Sequence, residues 1–151
     1  MKRVYISGGF DPLHSGHLKL IEHAKTLGDH LTVILNTDDW LTRKKGTYFL
    51  PSYERRRVLN SIKGVDAVFS AMDDDDTVIK NLEFFKSKYP DDILIFANGG
   101  DRGNGNVPEE NISKIIFIYE IGGQEKHTSS SSILKNYLER AKKWEFFNDR
   151  I

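Results

Sequence analysis

Short apolar runs alternate along the chain with segments in which apolar residues recur at every third or fourth position. The short runs predict buried strands, and the longer spacing predicts helices with one apolar face. The predicted strands cover residues 4–7, 31–35, 67–71, 93–97 and 115–119. Strands that alternate with helices favour right-handed crossovers and a parallel sheet covered by helices on both faces.

Helical spacing is clearest after the first strand, where the apolar pattern stops just before Gly28. Glycine is a common helix stop, and Ser52 is a suitable N-cap for the next helical segment. The predicted helices cover residues 15–27, residues 52–62, about 76–90, and a last segment that begins in the serine run 129–132.

These elements predict an α/β protein with a Rossmann-like, three-layer αβα fold and a mostly parallel five-stranded sheet. No repeat or long linker divides the sequence, so residues 1–151 are interpreted as a single domain. Ligands of open parallel sheets bind beyond the carboxyl ends of the strands. The loops that follow the first, second and fourth strands fall on that edge.

Composition excludes several classes of function. Lys plus Arg and Asp plus Glu number 22 each, so no overall charge favours nucleic acid or a membrane surface. The chain has no cysteine, which rules out disulfides and thiolate chemistry. No apolar run approaches the roughly 20 residues that span a bilayer, so a cytoplasmic protein is expected.

The loop after the first strand, residues 8–18, contains two adjacent glycines and two histidines. The glycines allow a tight turn and a close approach of the backbone to a ligand. The start of the following helix offers N–H groups and the positive end of the helix dipole, which suit phosphate. His14 and His17 are one helical turn apart, and Gly16 between them leaves room for a phosphate.

Two imidazoles in this position suit the transfer of a nucleotidyl group. When a phosphate oxygen attacks the α-phosphate of a nucleoside triphosphate, negative charge grows on the surrounding oxygens, and positioned donors stabilise it. The alternative is that both histidines are ordinary side chains near a helix start. Their spacing and the glycine-rich turn favour the catalytic interpretation.

Gly9-Phe10-Asp11 followed by His14-Ser15-Gly16-His17 resembles the HxGH signature of the cytidylyltransferase-like nucleotidyltransferase superfamily. The glycerol-3-phosphate cytidylyltransferases and the heptose-phosphate nucleotidyltransferases are similar through most of the chain. The resemblance extends over residues 24–29, 36–39, 45–46, 56 and 65–66, and over the serine run. The Asn-Gly-Gly-Asp segment at 98–101 looks closest to the heptose-type enzymes. The resemblance implies an enzyme that joins a nucleotide to a phosphorylated small molecule and releases pyrophosphate.

The motifs and the resemblance together indicate the site residues. The expected catalytic residues are His14, His17 and Lys45. The expected nucleotide-binding residues are Gly8, Gly9, Phe10, Gly16, Lys44, Asp101, Ser129, Ser130 and Ser131. The expected acceptor-binding residues are Asp11, Asp38 and Arg56.

The lysines and serines each have a simpler interpretation. Lys44 and Lys45 lie in what the pattern predicts to be a basic loop, residues 42–51, which could close on the β- and γ-phosphates or remain a solvated loop. The serines offer hydroxyl and N–H groups to the triphosphate, whereas simple N-capping accounts for one of them. For Arg56 the alternative is a salt bridge with Glu54 or Asp66.

The expected partners are a nucleoside triphosphate and a phosphorylated small-molecule acceptor. Mg²⁺ is expected as well, held mainly by the triphosphate with Asp11 nearby. The acidic run 73–76 is interpreted as a solvated turn, because adjacent acids point in different directions. Trp144, Phe146 and Phe147 are more apolar than a free tail should be, so they are expected to pack either on the domain or on a second subunit. The resemblance also favours a homodimer.

Three functions stay open at this point. The first is a cytidylyltransferase that uses CTP and a phosphorylated alcohol or sugar. The second is an ATP-dependent adenylyltransferase, favoured by the segment 98–101 and by the absence of the Arg-Thr-x-Gly that precedes the serine motif in cytidylyltransferases; Lys126-His127-Thr128 stands there instead. The third is an inactive nucleotide-binding regulatory module, against which the intact histidines and Lys45 argue.

Overall fold

The computed structural model describes residues 1–72, 76–99, 109, 113–122 and 129–144, together with the helical backbone of 145–148. The strands in this part of the chain are β1 (Lys2–Gly8), β2 (His30–Leu35), β3 (Ala67–Ser70), β4 (Ile93–Gly99) and β5 (Ile116–Ile121). The helices are α1 (Ser15–Lys25), α2 (Asp38–Lys45), α3 (Ser52–Asn60), α4 (Ile79–Lys88) and α5 (Ser130–Asn148).

The strands form one sheet in the order β3-β2-β1-β4-β5, and every pairing is parallel. The α/β, Rossmann-like class expected from the sequence is therefore confirmed, with a sheet that is parallel throughout. The strand order reverses at β1, which pairs with β2 on one side and with β4 on the other. A crevice for ligands opens at such a reversal, beyond the carboxyl ends of the strands.

Two apolar clusters cover the two faces of the sheet. Successive side chains of a strand point to opposite faces. Val4 and Ile6 accordingly pack with α1 and α3, whereas Tyr5 between them stacks on Phe85 of α4 with ring centroids 4.6 Å apart. Burial on both faces explains why β1 reads as an uninterrupted apolar run.

One predicted loop proves to be helical. Residues 42–45 belong to α2, which begins after Thr37, whose hydroxyl accepts a hydrogen bond from the Trp40 amide at 3.0 Å. Two aspartates in the first turn and basic residues in the last turn also complement the helix dipole. The helix was missed because it is only eight residues long and Leu41 is its single buried residue. The loop is therefore shorter than predicted and begins at Gly46.

Other helix ends also differ from the prediction: α3 ends at Asn60 rather than at residue 62, and α4 spans Ile79–Lys88 rather than about 76–90. Helix α1 stops at Lys25, since the amides of Thr26 and Leu27 bond to carbonyls three residues back and tighten the last turn. Helix α3 does begin at Ser52, but Pro51 occupies the N-cap position and no side chain caps the helix. The expected N-cap role of Ser52 was therefore wrong by one residue.

Candidate active site

The two histidines of the β1–α1 loop are fixed by reciprocal bonds at the start of α1. The Gly16 amide donates to Nδ1 of His14 at 3.1 Å, and the His14 amide donates to Nδ1 of His17 at 3.2 Å. His14 is also the N-cap of the helix. The HxGH spacing thus forms a capping box in which two imidazoles replace the usual hydroxyl and carboxylate.

These bonds decide which ring nitrogen carries a proton. A backbone N–H can only donate, so Nδ1 of each ring must present its lone pair. In a neutral imidazole the proton then resides on Nε2, on the far side of the ring from the backbone. Both rings are half-buried, and they stack with centroids 3.8 Å apart and planes at 29°. His14 and His17 therefore present two N–H donors side by side.

The position of the His14 ring requires a glycine at position 16. A Cβ atom at Gly16 would lie 2.9 Å from Cε1 of His14, closer than ordinary Cβ contacts. The sequence predicted that this glycine leaves room for phosphate; the structure shows that it first leaves room for the imidazole. Phe10 completes the support, because its buried ring meets His17 edge-on with centroids 4.8 Å apart.

The other two glycines of the loop border packed side chains. A Cβ at Gly8 would lie 3.1 Å from Cε2 of Phe10, and a Cβ at Gly9 would lie 3.0 Å from Cδ2 of Leu41. Both positions therefore let buried apolar groups approach the backbone of the loop. Their predicted contact with nucleotide stays a prediction.

Asp11 is buried below the loop rather than exposed to a ligand. It is 2% exposed, and its carboxylate oxygens accept the amides of Phe49 and Leu50, each at 2.7 Å. The carboxylate thus anchors residues 46–51, the loop between α2 and α3. This geometry does not support direct binding of an acceptor or Mg²⁺ by Asp11, although the prediction itself stays untested.

Arg55 was not among the residues predicted for the site. It is 1% exposed, and its guanidinium donates to the Leu50 carbonyl at 2.8 Å, the Gly9 carbonyl at 2.9 Å and the Asn36 carbonyl at 2.8 Å. A fourth bond, 2.6 Å long, joins Nη2 to Oδ1 of Asp38. The sequence signal was a positive charge at the start of a helix, where it opposes the dipole.

Arg56 and Asp38 lie on the carboxyl side of neighbouring strands. Arg56 donates to the Val68 carbonyl at 2.7 Å and to the Ser70 hydroxyl. It forms no salt bridge with Glu54 or Asp66, the alternative that the sequence left open; Asp66 pairs instead with Lys25 at 2.6 Å. Arg56 therefore reaches the end of β3, and its role toward an acceptor phosphate, like that of Asp38, stays a prediction.

The two lysines lie at the end of α2. Nζ of Lys44 is 3.1 Å from Oδ2 of Asp76, and the hydrogen bond from Lys44 is the main reason that the pKa of Asp76 falls below its usual value. Lys45 is the last residue of the helix and is exposed. Gly46 follows in a left-handed conformation with a φ of 88°, with no atom within 4 Å of the position of a Cβ. The chain can therefore turn sharply after the lysines.

The serine run combines capping with a link to the histidine loop. Ser129 and Ser132 cap each other, because each amide donates to the hydroxyl of the other at 3.1 Å. The Ser130 hydroxyl donates to the Pro12 carbonyl at 2.9 Å, and Ser131 is exposed. Capping thus accounts for two serines rather than one. Phosphate binding by Ser129, Ser130 and Ser131 stays a prediction.

Asn98 is a second residue that sequence reasoning did not single out individually. It lies at the end of β4 beside the strand-order reversal and is 3% exposed. Within the described part of the chain, its Nδ2 has no hydrogen-bond partner. A buried amide without a partner is costly unless a ligand or water satisfies it.

Some expectations fall where the structure gives no answer. Asp101, the segment 126–128 and the side chains of Phe146 and Phe147 lie outside the described residues. Trp144 is exposed, and the homodimer stays a prediction.

No described helix is long and apolar enough to cross a membrane. The described residues also contain no cluster of three His, Cys, Asp or Glu side chains suited to holding a metal.

Comparison with known proteins identifies the family. Residues 5–136 match the family model described as cytidylyltransferase-like. The chain belongs to this family of nucleotidyltransferases. The matched segment extends from β1 into α5, so it includes the histidine loop, the end of α2 and the serine run. Membership confirms both the resemblance and the enzyme class that the sequence predicted.

Several curated relatives are similar to this family member. It is 41% identical over 104 residues to the glycerol-3-phosphate cytidylyltransferase of Bacillus subtilis (strain 168), covering 67% of this chain and 73% of that protein. An FAD synthase of Ferroglobus placidus is 36% identical over 95 residues, 63% of this chain and 59% of that one. The bifunctional protein HldE of Streptomyces coelicolor is 37% identical over 123 residues, 80% of this chain but only 24% of that protein.

A solved structure supports the fold. The lipopolysaccharide core biosynthesis protein of Thermoplasma volcanium GSS1 matches with a TM-score of 0.62 and 24% identity, over 79% of this chain and 95% of that one. At this identity the likeness concerns the architecture alone.

Proposed function

We propose that the protein transfers a cytidylyl group from CTP to a phosphorylated small alcohol or sugar. An oxygen of the acceptor phosphate forms a bond to the α-phosphorus, the bond from that phosphorus to the bridging oxygen breaks, and pyrophosphate leaves. The observation that carries this proposal is the pair of stacked imidazoles, each with Nδ1 held by a backbone amide at the start of α1.

The imidazole pair supplies donors where charge develops. Nε2–H of His14 and Nε2–H of His17 would donate to oxygens of the α-phosphate, strengthening as negative charge grows in the transition state. The first N–H groups of α1 add the positive end of its dipole. Because both rings are already fixed by the backbone, little reorganisation is needed at the moment of reaction.

Two lysines at the end of α2 are the proposed cationic partners of the leaving pyrophosphate. Lys45, at the exposed end of α2, would contact the β- and γ-phosphates, with Lys44 after it leaves Asp76. The amide groups at the start of α5 would serve the same phosphates. Asp38 and Arg56, near the ends of β2 and β3, would then face the acceptor.

Mg²⁺ would arrive with the triphosphate. Both oxygens of Asp11 already accept backbone amides, and no three His, Cys, Asp or Glu side chains among the described residues are grouped so as to hold a metal, so these residues do not fit a resident metal site. The ion neutralises phosphate charge when it is bound. Removal of Mg²⁺ should therefore affect nucleotide binding rather than folding.

CTP is proposed because of the 41% identity to a glycerol-3-phosphate cytidylyltransferase. The second candidate is ATP with a sugar phosphate as acceptor. Its support is the similarity to HldE, which extends over 80% of this chain, and the Asn98-Gly99 segment, which resembles the heptose-type enzymes. Both candidates use the same imidazole pair, so only the base and acceptor differ.

Pyrophosphate release over a panel of triphosphates and phosphorylated acceptors tests the proposal. We expect release with CTP and a polyol or sugar phosphate in the presence of Mg²⁺, and His17→Ala should lower kcat about 100-fold, the scale of losing an oxyanion donor. His23→Asn is the matched control, because His23 lies on the same helix but bonds to the Gly122 amide. Release with ATP alone would favour the second candidate. A fully active, folded His17→Ala variant would contradict the catalytic role.

A further inference from the structure

Arg55 is the largest fully buried charged side chain in the described structure, and its bonds extend over three separate loops. Its guanidinium bonds to Gly9 in the β1–α1 loop, to Asn36 and Asp38 after β2, and to Leu50 in the α2–α3 loop. Burying a cation is costly unless its donors are satisfied. Here the main partners are backbone carbonyls of the very loops that bear the candidate site.

Each bond constrains a peptide group of the loop. The C=O and N–H of a trans peptide point in opposite directions. By holding the Gly9 carbonyl, Arg55 directs the Phe10 amide away from α3, and by holding the Asn36 carbonyl it does the same for the Thr37 amide. Thr37 is in turn the N-cap of α2, the helix that ends in Lys44 and Lys45.

Asp11 holds the third loop from the opposite side. Its carboxylate accepts the Leu50 amide, whereas Arg55 bonds to the Leu50 carbonyl. Two buried, oppositely charged side chains thus hold the same residue, Leu50, although they form no ion pair with each other. The Asp11 carboxylate is satisfied by backbone amides and the Arg55 guanidinium by backbone carbonyls and Asp38, so residues 46–51 are held to the loop that carries the histidines.

We propose that Arg55 is a positioning residue that sets the mutual arrangement of the histidine loop, Asp38 and the lysine-bearing end of α2. It touches no reacting atom. It acts by holding Gly9, Asn36, Asp38 and Leu50 in one network, so that the two imidazoles and the lysines meet the triphosphate together. This inference rests on the proposed nucleotidyl transfer, which supplies the reaction being positioned.

Arg55→Lys keeps the charge but loses the planar fork that serves several partners at once. Misplacement of catalytic groups by about 1 Å can cost about 100-fold in rate, so we expect kcat/KM to fall on the order of 10- to 100-fold. Arg57→Gln is the matched control, because Arg57 is exposed on the same helix, and it should keep wild-type kinetics.

Two readouts distinguish positioning from a contribution to stability alone. A destabilised but correctly arranged enzyme would lose active fraction with KM unchanged, whereas loss of positioning should raise the KM for the acceptor. In a double-mutant cycle, Asp38→Asn and Arg55→Lys should show non-additive effects on that KM, because they share one bond. Additive effects with unchanged KM in Arg55→Lys would overturn the proposal.

Hydrogen exchange gives an answer that needs no turnover. In Arg55→Lys, amides within residues 8–13, 36–39 and 46–51 should exchange faster than in the wild type, while those of α4 should not change. Faster exchange confined to α3 would overturn the proposed network. If the wild-type protein releases no pyrophosphate with any pair of triphosphate and acceptor, the proposed function is refuted instead. The exchange data would still show whether Arg55 holds the three loops in one network.

Discussion

The two ends of the parallel sheet use charged residues in different ways. At the amino end, charges pair with each other near the surface: Arg3 bonds to Asp92 at 2.7 Å and lies over the ring of Tyr89, and Lys25 bonds to Asp66. At the carboxyl end, Asp11 and Arg55 are buried and bond chiefly to backbone groups of loops.

The difference concerns how firmly each end of the sheet is held. Ion pairs near the surface, such as Lys25–Asp66, contribute little to stability, since water screens both partners. Buried charges bonded to backbone groups hold loops in fixed conformations, and their loss leaves polar groups unsatisfied. Because Asp11 and Arg55 hold the loops at the carboxyl end of the sheet, these loops are already arranged before the substrate binds. Electrostatic stabilisation of a transition state requires such preorganisation.

The largest effect on stability is expected at Asp11. Asp11→Asn places an amide NH₂ against one of the two backbone amides, so one charge-assisted bond is lost and one buried donor is left without a partner, at a cost of about 3 kcal/mol in the free energy of unfolding. Asp29→Asn at the amino end is the control, because the remaining oxygen can still accept the Lys2 amide. Urea denaturation measures both, and equal small losses would remove the contrast between the two ends.

Gly16→Ala should separate rate from stability. The added methyl group must displace the His14 ring, so we expect kcat to fall about 30-fold, on the scale of a partly lost donor. Alanine is the better helix former, so the folded state should lose little stability. Ser15→Ala, at the exposed neighbouring position, is the control for steady-state kinetics and thermal melting. An unaltered rate would mean that the ring position is not critical.

The smallest effect is expected for Asp92 at the amino end. The hydrogen bond from Arg3 is the main cause that lowers the pKa of this carboxyl below 3.8. Its contribution to stability is therefore present above about pH 4 and is lost as the pH falls through the lower pKa of the folded state. In Asp92→Asn, the free energy of unfolding should fall less steeply as the pH is lowered below about 4 than it does in the wild type. Turnover at neutral pH should not change. A steeper fall in the variant would contradict the lowered pKa of Asp92.

Much of the architecture follows from patterns in the sequence. Buried parallel strands are short apolar runs, and all five predicted runs contain or overlap an observed strand. The histidine loop was also predictable, because HxGH combines a spacing, a glycine and a place after the first strand. The loop does follow β1 and its two imidazole rings do lie side by side, whereas their catalytic role stays a prediction.

The parts that escaped prediction depend on contacts distant in sequence. Helix α2 is an exception: it escaped prediction because it has too few apolar positions to show a helical period, although its ends at Thr37 and Gly46 are local caps. Arg55 looks like any surface arginine of a helix until the Gly9 carbonyl, 46 positions away, is brought beside it. The same holds for Asp11, whose partners lie 38 and 39 positions further along the chain.

The bond between the Ser130 hydroxyl and the Pro12 carbonyl spans 118 positions of the chain. During synthesis the histidine loop leaves the ribosome early, yet this brace can form only after the start of α5 has emerged. Contacts of such long separation are slow to form, because the intervening chain must first be ordered. A nascent chain that stops short of Ser130 can therefore assemble strands and helices while it still lacks one support of the loop.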